Sequence, residues 1–532
     1  MKKKHSLNRR EFVGLAATAA AATIVPRHVL GGPGFVPPSD KITIANIGCG
    51  TQGLREMGSL LSNPQVQVVA VCDPNRFSMG YLDWSPTGLL NDIRGTLGDK
   101  TWGADVKGIP GGRDMGQAYV EKYYGSNMPS GSYRGCPAYE DFRELLDREK
   151  DLDAVKIMTP DHLHATIAIA AMKKGKHVVT HKPIANRIRE GKLVVETAQK
   201  TGAITHLLAW SRRPEYDLIK QWIDDGVIGE LKEIHNWSYR PVWPQWTSNP
   251  TDTPPIPEGF NWDLWLGPVP DRPYHPNYTN NVFRGWYDFG GGSIADMGHY
   301  SLFPLFLTLG IDRAPVAAKS FATTTRTAVD GVCRPVVNKV AFPYSCMIQL
   351  KFPEQRSLPA FDLFWYDGGM KPFPPPELEA DGRDTPEEGL MFVGTKGKIL
   401  GGFRGENPEI IPASAMTAYP GKKTLDNDPD RGRDEWVQAI LDKKESPGSF
   451  QNAATITETI NLAAIALRAG KRIEYDSDRT LITNDEEANQ YLTREYRRGG
   501  GGGGGGGPRR GGGGAPAAPG GTAGGGLRGP PP

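Results

Sequence analysis

A glycine-rich hexapeptide at the end of a short apolar run constrains the fold of this chain more than any other feature. The run Ile42–Ile47 leads directly into Gly48-Cys49-Gly50-Thr51-Gln52-Gly53, and helical periodicity follows from Leu54. The next apolar run ends at an acidic residue, Asp73, roughly 20 residues further on. Strand, tight glycine turn, helix and distant acid are the order of elements in a dinucleotide-binding βαβ unit. The sequence therefore predicts a dinucleotide site near the N-terminus, although a turn with a purely structural role is the alternative.

The residues of the hexapeptide have separate expected roles in such a site. Gly48 allows the tight turn, Gly50 lets the backbone approach a pyrophosphate, and Gly53 allows the helix to pack closely on the strand. Thr51 and Gln52 begin the helix, whose first backbone N–H groups are donors for phosphate oxygens.

The type of dinucleotide depends on Asp73. A carboxylate at the end of the second strand is expected to accept from a ribose 2′-hydroxyl and to repel a 2′-phosphate. The sequence therefore predicts NAD as the cofactor and makes NADP the less favoured alternative.

Apolar runs and helical patterns alternate as far as Ala209. The further runs are Val66–Cys72, Ala154–Met158, His177–Thr180 and Ile204–Ala209. Strands that alternate with helices predict an α/β fold with a doubly wound parallel sheet, a Rossmann domain, over residues 41–209. A Gly- and Trp-rich insertion at 77–134 interrupts the pattern, and we expect it to be a loop with some helix over one edge of the sheet.

The pattern changes after Trp210 to the alternation that is typical of half-buried antiparallel strands. It occurs in Leu231–Tyr239, Val316–Thr325, Val336–Phe352, Ala360–Tyr366 and Met391–Leu400. These segments predict a second, C-terminal α/β domain over residues 210–496 with an open, mainly antiparallel sheet.

The two ends of the chain differ from the rest. Residues 1–30 place Arg9-Arg10 ahead of an apolar stretch that is too short to anchor in a bilayer, which is typical of a twin-arginine export signal. An ordinary secretory signal or a disordered arm is the alternative. Residues 31–40 predict a linker, and the Gly/Pro-rich segment 497–532 predicts a disordered tail. We therefore expect an exported, periplasmic protein without a stable membrane anchor.

Charge and cysteine content exclude two classes of function. The net charge is +2, but the basic excess lies at the two ends and leaves the middle of the chain acidic. No nucleic-acid partner is therefore expected, because phosphate backbones require a basic surface. The five cysteines are widely spread without a CxxC pair, so no metal site is predicted.

Two further strand ends carry polar residues. The third strand leads into Thr159-Pro160-Asp161-His162-Leu163-His164. Open α/β sheets bind ligands at the carboxyl ends of their strands, so we expect Thr159, Pro160 and His164 to lie against the cofactor. Helix capping by Asp161 and helix packing by His164 are the alternatives.

The fourth strand leads into His181-Lys182-Pro183. At this position Lys182 is expected to contact the cofactor and to act on a substrate hydroxyl, either as a hydrogen-bond donor or as a base with a lowered pKa. A solvated surface lysine is the alternative.

Together these motifs resemble the Gfo/Idh/MocA oxidoreductases, a family that includes glucose–fructose oxidoreductase and inositol dehydrogenase. The resemblance covers roughly residues 41–496. It implies a second domain whose open sheet covers the nicotinamide side and often mediates oligomers, so a homo-oligomer is expected. It also implies a catalytic lysine in a Glu-Lys-Pro motif, which falls on Lys182-Pro183, with His181 in the place of the glutamate.

The resemblance also implies acid/base residues in an Asp-x-Gly-x-His motif. Here the segment reads Asp296-Met297-Gly298-His299-Tyr300, so the histidine comes one residue early and Tyr300 stands at its place. Residues three and four after Asp296 both lie on its side of a helix. We therefore expect Asp296 to be catalytic together with either His299 or Tyr300, with a slight preference for His299 because its pKa is closer to neutral.

Aromatic-rich loops in the second half suit the CH faces and hydroxyls of a carbohydrate. Arg240, Trp286 and Tyr287 are the candidate substrate residues, and packing between domains is the alternative. The sequence thus predicts hydride transfer between NAD and a sugar or polyol. One alternative is an NAD-dependent enzyme that cleaves glycosides by transient oxidation without net redox change. Another is a binding protein that keeps the fold without turnover.

Overall fold

The computed structural model describes residues 40–497, except for 129–132, 134, 423–424 and 426–434. The predicted export signal at 1–30, all but the last residue of the predicted linker at 31–40, and the predicted tail after Arg497 lie outside the described residues.

The N-terminal part contains a six-stranded sheet in which every neighbouring pair is parallel. Its strands are β1 (Ile42–Ile47), β2 (Val66–Cys72), β3 (Ala138–Tyr139), β4 (Ala154–Ile157), β5 (His177–Thr180) and β6 (Thr205–Leu207). They lie in the order β3-β2-β1-β4-β5-β6. The order reverses between β1 and β4, which is where open sheets of this kind bind their ligands. The predicted doubly wound parallel sheet is confirmed.

Helices connect these strands. They are α1 (Thr51–Ser62), α2 (Gly88–Leu97), α3 (Arg113–Asn127), α4 (Phe142–Arg148), α5 (Asp161–Lys173) and α6 (Ile188–Thr201). The insertion at 77–134 contributes α2, which contacts α1, and α3, which contacts β2. Helix α4 begins at Phe142 and not earlier, because Tyr139 pairs with Cys72 at the edge of the sheet.

The C-terminal part contains a nine-stranded sheet in the order β15-β14-β13-β7-β12-β11-β8-β16-β17, and a separate two-stranded ribbon formed by β9 and β10. The strands are β7 (Leu231–Trp237), β8 (Ala317–Ala322), β9 (Arg326–Val329), β10 (Val332–Pro335), β11 (Cys346–Phe352), β12 (Phe361–Tyr366), β13 (Gly389–Gly394), β14 (Lys398–Gly401), β15 (Glu409–Ile411), β16 (Ile473–Asp476) and β17 (Leu481–Ile482). Only the β7–β12 pair of the large sheet is parallel. The predicted open, mainly antiparallel sheet is confirmed.

Two predicted strands of this sheet have different limits. In the segment predicted as Val336–Phe352 the strand begins only at Cys346. The β9–β10 ribbon, which precedes it, is exposed on both faces and therefore lacks the alternation that marks a half-buried strand. The segment Met391–Leu400 is a hairpin rather than one strand, because the chain turns between Gly394 and Lys398.

The helices of the C-terminal part are α7 (Pro214–Asp224), α8 (Trp262–Leu266), α9 (His299–Leu309), α10 (Pro376–Ala380), α11 (Ala413–Ala418), α12 (Glu435–Asp442) and α13 (Ala454–Ala469). Short 3-10 turns occur at Pro276–Tyr278, Asn280–Gly285 and Glu487–Leu492, and a π-helical turn, Ile294–Gly298, runs directly into α9. None of the helices in the described part of the chain is both long and apolar enough to cross a bilayer.

One hydrophobic cluster joins the two sheets. It includes Ile157 of β4, Leu302 of α9 and Leu350 of β11, all of which are fully buried. The two sheets and the helices between them therefore share a core, and the carboxyl edge of the parallel sheet lies beside residues of the C-terminal part. The domain limits at 209 and 496 remain predictions.

Candidate active site

The carboxyl ends of four parallel strands meet at one edge of the first sheet. The glycine hexapeptide follows β1, Asp73 follows β2, Thr159 follows β4, and Lys182 lies just beyond β5. Because the strands run in the same direction, residues from distant parts of the sequence come together here.

A crevice with an empty volume of about 1030 Å³ opens over the glycine turn, and we call it the cofactor crevice. The insertion contributes Ser78 and Tyr81 to its walls, and the C-terminal part contributes Phe260, Trp265 and Arg284. Its lining also includes most of the residues predicted to bind the cofactor: Gly48, Gly50, Thr51, Gln52, Gly53, Asp73, Thr159 and Pro160.

The glycine turn leaves no room for side chains. A Cβ on Gly48, whose φ is +101°, would lie 2.5 Å from the carbonyl carbon of Met158. A Cβ on Gly53 would lie 2.2 Å from the Gly48 oxygen, and one on Gly50 would lie 3.1 Å from the Tyr81 ring. Helix α1 begins directly after Gly50, and no side chain caps it. Backbone N–H groups at a helix start behind a side-chain-free turn fit the phosphates of a dinucleotide.

Asp73 is fixed at the end of β2. Its carboxylate accepts hydrogen bonds from the backbone N–H groups of Cys49 at 2.7 Å and Asn75 at 2.8 Å. Burial raises the pKa of Asp73 to about 6, against the lowering effect of these two donors. The carboxylate thus ties the glycine turn to β2 and also lines the cofactor crevice.

A second crevice, with an empty volume of about 1290 Å³, contains Lys182, Asp296 and Tyr300, and we call it the lysine crevice. Its lining shares Thr51, Gln52, His181 and Arg284 with the cofactor crevice. A molecule bound in the lysine crevice would therefore lie next to a molecule bound on the glycine turn.

Lys182 and Asp296 form a buried ion pair in this crevice. Nζ of Lys182, a residue that is 2% exposed, donates to Oδ1 of Asp296 at 2.7 Å. Arg284 places its Nε 3.3 Å from the same oxygen and its Nη1 3.2 Å from Oδ1 of Asp161. The four side chains therefore alternate in charge.

The surroundings of this pair set its protonation. Burial and the nearby Arg284 lower the pKa of Lys182 to about 8, although Asp296 opposes this change. Against the effect of burial, Lys182 and Arg284 lower the pKa of Asp296 to about 2. At neutral pH Asp296 is ionised, and Lys182 is close to the pH at which it loses its proton.

Tyr300 connects Lys182 to a second set of polar groups. Nζ of Lys182 lies 4.9 Å from the centroid of the Tyr300 ring, and the Tyr300 hydroxyl lies 2.9 Å from Nε2 of His181. That nitrogen is 3.7 Å from Oε1 of Glu56 on α1. Burial lowers the pKa of His181 well below its usual value and raises the pKa of Tyr300. His181 is therefore neutral, and its Nε2 either accepts from or donates to the Tyr300 hydroxyl.

His299 does not reach the lysine crevice. Its side chain is fully buried, its Nδ1 lies 2.9 Å from the backbone oxygen of Ala295, and burial lowers its pKa to about 3. The π-helical turn before α9 has more residues per turn than an α-helix, so the fourth residue after Asp296, Tyr300, follows it into the crevice. The structure thus places Tyr300, and not the favoured His299, where the acid/base residue was expected.

His164 does not line the cofactor crevice either. Its ring nitrogens lie 2.8 Å from the backbone oxygen of Thr159 and 2.5 Å from that of Pro183. His164 therefore lies behind the two turns that carry Thr159 and Lys182, and its one ring N–H donates to one of these two oxygens.

Of the three candidate substrate residues, only Arg240 lines the lysine crevice. Trp286 is buried in an aromatic cluster, and its Nε1 donates to the backbone oxygen of Asn277 at 2.7 Å. Tyr287 is buried with its ring centroid 4.2 Å from that of Phe342. Both side chains turn inward after the 3-10 turn that ends at Gly285, so they pack in the core rather than contact a ligand.

Several residues of the site were not anticipated. Arg284 lies in the 3-10 turn Asn280–Gly285 and Arg404 in the loop after β14, where an isolated arginine carries no positional signal. Glu56 could be predicted from the sequence, because it follows Gln52 by four residues on α1. Oε1 of Glu56 accepts a hydrogen bond from Nε2 of Gln52 at 2.9 Å. No group of three or more His, Cys, Asp or Glu side chains in the described ranges is arranged to hold a metal ion.

Similar proteins cover parts of this chain. The levoglucosan dehydrogenase of Pseudarthrobacter phenanthrenivorans is 38% identical over 111 residues, which are 20% of this chain and 28% of that protein. The glycosyl hydrolase family 109 protein of Shewanella pealeana is 27% identical over 241 residues, 42% of this chain and 44% of that protein. The solved structure of the WlbA dehydrogenase from Bordetella pertussis, in complex with NADH and UDP-GlcNAcA, matches with a TM-score of 0.48 and 15% identity over 82% of this chain and 99% of that chain. Each sequence alignment spans less than half of the length of the curated relative.

Two family models match the chain itself. The model of the oxidoreductase family's NAD-binding Rossmann fold matches residues 130–208, and the model of its C-terminal α/β domain matches residues 217–355 and 376–499. Together they cover more than half of the sequence and include the segments that carry Lys182, Asp296 and Tyr300. The chain therefore belongs to the Gfo/Idh/MocA family of NAD-binding oxidoreductases.

Proposed function

We propose that this protein transfers a hydride between NAD and a CH–OH carbon of a sugar or polyol. The buried Lys182–Asp296 pair carries the proposal, because it lies in a crevice that shares its wall with the cofactor crevice. A carbinol group beside Lys182 would be next to the bound cofactor. The similarity to a levoglucosan dehydrogenase supports a carbohydrate as the substrate.

Different residues of the cofactor crevice would bind different parts of NAD. The glycine turn and the start of α1 would hold the pyrophosphate, and Asp73 would accept from the adenosine ribose. When bound, NAD supplies the acceptor for the hydride that leaves the carbinol carbon, and NADH supplies the donor in the reverse direction.

Lys182 is the acceptor of the hydroxyl proton. When the carbinol C–H bond breaks with its electron pair, the O–H bond must also break for the carbonyl to form, and the neutral amine of Lys182 accepts that proton. Its lowered pKa makes the amine available near neutral pH. Asp296 stabilises the ammonium ion that results and holds Nζ in place at 2.7 Å.

Tyr300 orients the reacting hydroxyl, and His181 orients Tyr300. The Tyr300 hydroxyl can donate to or accept from the reacting oxygen, and it also forms a hydrogen bond with Nε2 of His181. His181 therefore stands in the place of the family's glutamate as a neutral hydrogen-bond partner of Tyr300.

The test is a panel of sugars and polyols incubated with purified protein and NAD, in which cofactor absorbance and released products are followed together. The proposal expects at least one compound to yield equal amounts of NADH and oxidised product. A protein that binds NAD but reduces it with no member of the panel would instead be the non-catalytic binding protein.

The second candidate is NAD-dependent glycoside cleavage, which the alignment of 241 residues with a glycosyl hydrolase family 109 protein favours. Oxidation of one carbinol would acidify the neighbouring C–H bond, whose proton and the glycosidic leaving group would then depart together. Addition of water and return of the hydride would complete a net hydrolysis. Release of a sugar and an alcohol without net NADH in the same panel would identify this reaction.

We also propose that the protein is exported and acts as a homo-oligomer. The paired arginines ahead of a short apolar stretch support export through a twin-arginine pathway. Substitution of Arg9 and Arg10 by lysine should keep the protein in the cytoplasm, and light scattering of the purified protein would measure its oligomeric state.

A further inference from the structure

The lysine crevice contains more positive than negative charge. Its cationic lining residues are Arg55, Lys182, Arg240, Arg284 and Arg404, whereas its carboxylates are Asp83 and Asp296. Arg55 pairs with Asp83 at 2.7 Å, and Lys182 and Arg284 both pair with Asp296. No carboxylate in the described part of the chain forms an ion pair with Arg240 or Arg404. Two guanidinium groups of the crevice therefore have no ion-pair partner among the described residues, although the charge of Arg240 still acts on Asp296 from a distance.

Arg240 stacks on aromatic rings and has no side-chain acceptor among the described residues. Its guanidinium carbon lies 4.6 Å from the centroid of the Trp84 ring and 5.5 Å from that of Tyr239. Its Nε and Nη1 are enclosed by protein without a hydrogen-bond partner, so Nη2 is the nitrogen that a ligand in the crevice can reach. A guanidinium without a counter-ion in such a place favours the binding of an anion nearby.

Arg404 and Trp243 are two further lining residues of the lysine crevice. The guanidinium carbon of Arg404 lies 4.8 Å from the centroid of the Tyr300 ring, so this charge is close to the reacting groups. Trp243, which is 8% exposed, also lines the crevice, but its indole N–H is enclosed and has no acceptor within the described ranges. Positive charge near the reacting groups is therefore the feature that the crevice offers a ligand.

The crevice also has room for more than a reacting sugar ring. The space inside it that a water-sized molecule can occupy, about 480 Å³, lies within the roughly 300–1,000 Å³ range of pockets that hold drug-sized ligands. A neutral monosaccharide could offer hydroxyl acceptors to Arg240 and Arg404 but no counter-charge.

We propose that the substrate is an anionic sugar, whose carboxylate or phosphate ester is bound by Arg240 and Arg404 while its reacting hydroxyl lies at Lys182. This inference rests on the proposed function and specifies its substrate class. The pyrophosphate of the cofactor is a second oxyanion that could bind these arginines, since the two crevices share Thr51 and Gln52. Separate measurements of sugar binding and NAD binding distinguish the anionic sugar from the pyrophosphate.

The experiment measures the binding of D-glucuronate, D-galacturonate and D-glucose 6-phosphate, each against its neutral parent sugar, to NAD-loaded protein by calorimetry. The variants are Arg240→Gln and Arg404→Gln. Arg326→Gln, in the exposed β9 strand, is the control that removes the same charge elsewhere. We expect at least one acid to bind about tenfold or more tightly than its parent in wild type and in the control. Either crevice variant should remove most of that preference while NAD affinity stays unchanged.

The inference is overturned if no acid binds more tightly than its neutral parent, or if the preference survives in both crevice variants. It is also overturned if these variants weaken NAD binding and leave the sugar preference unchanged, because the oxyanion would then be the cofactor's pyrophosphate. Thermal unfolding of each variant excludes a loss of folding as the cause. Calorimetry measures binding without turnover, whereas the proposed function is tested by NADH formation with the panel of sugars and polyols. The two proposals can therefore fail independently.

Discussion

At the scale of single residues, Lys182 carries the proposed chemistry. Lys182→Met should lower kcat by about 100-fold or more, because it removes the proton acceptor. NAD affinity should stay nearly intact, since Lys182 does not line the cofactor crevice. Steady-state kinetics and a calorimetric NAD titration measure the two effects, with the exposed Lys173→Met as the matched control. Retention of more than about a tenth of wild-type kcat, a barrier change below ~1.4 kcal/mol, would contradict a catalytic lysine.

Substitutions of the neighbouring residues Tyr300 and His299 are predicted to affect different properties, activity for Tyr300 and stability for His299. Tyr300→Phe removes a hydroxyl that lies 2.9 Å from His181 in the lysine crevice, so kcat should fall and its pH profile should change. His299→Ala removes a buried ring, so it should lower the free energy of unfolding by about 1–3 kcal/mol and leave the shape of the pH profile unchanged. Chemical denaturation and pH–rate profiles separate the two. The reverse pattern would return the acid/base role to His299.

Asp73 should make the choice of cofactor depend on pH. Because burial raises its pKa to about 6, the carboxylate is charged and repels a 2′-phosphate above that pH, and it becomes protonated below it. The preference for NAD over NADP, measured as a ratio of dissociation constants, should therefore shrink as pH falls through 6. The 2′-phosphate itself titrates near pH ~6, so Asp73→Asn, which lacks the carboxylate, isolates that contribution. Tighter binding of NADP than NAD at pH ~8 would show that Asp73 does not discriminate.

At the scale of elements, the insertion acts as a wall of the cofactor crevice. Tyr81 lies against Gly50, and its hydroxyl accepts a hydrogen bond from Nδ2 of Asn75 at 3.1 Å. Tyr81→Ala should open this wall and speed the release of NAD, whereas Phe77→Ala, at a 39% exposed position that does not line the crevice, should not. Stopped-flow displacement of bound NADH measures both rates. Equal release rates in the two variants would mean that the insertion does not retain the cofactor.

The elements also show what the sequence could and could not predict. The glycine turn and Lys182 were predictable, because short-range spacing fixes their backbone and parallel strands bring their ends together. The directions of His299 and Trp286 depend on a π-helical and a 3-10 turn, which no residue pattern marked. Arg404 reaches Tyr300 from the loop after β14, about a hundred residues away, through packing that only the folded chain defines.

At the scale of the whole molecule, the proposed export would require the cofactor crevice to retain NAD. A protein exported in its folded state would arrive where free NAD is scarce, so it would need to carry its cofactor with it. The wall formed by the insertion suits slow dissociation. The shared wall between the two crevices further allows a second substrate to reoxidise or re-reduce NAD without release.

Transfer of the carbinol hydrogen to the cofactor defines the proposed reaction, and an isotope measurement follows that hydrogen. The protein is mixed for a single turnover with a sugar that it binds and that carries deuterium at its carbinol carbons. The nucleotide is then released by denaturation, and its mass is measured by mass spectrometry. We expect deuterium in the nucleotide with wild-type protein and none with a Lys182→Met variant that still binds NAD. A sugar that is converted to product while the nucleotide stays free of deuterium throughout the turnover would contradict the proposed reaction.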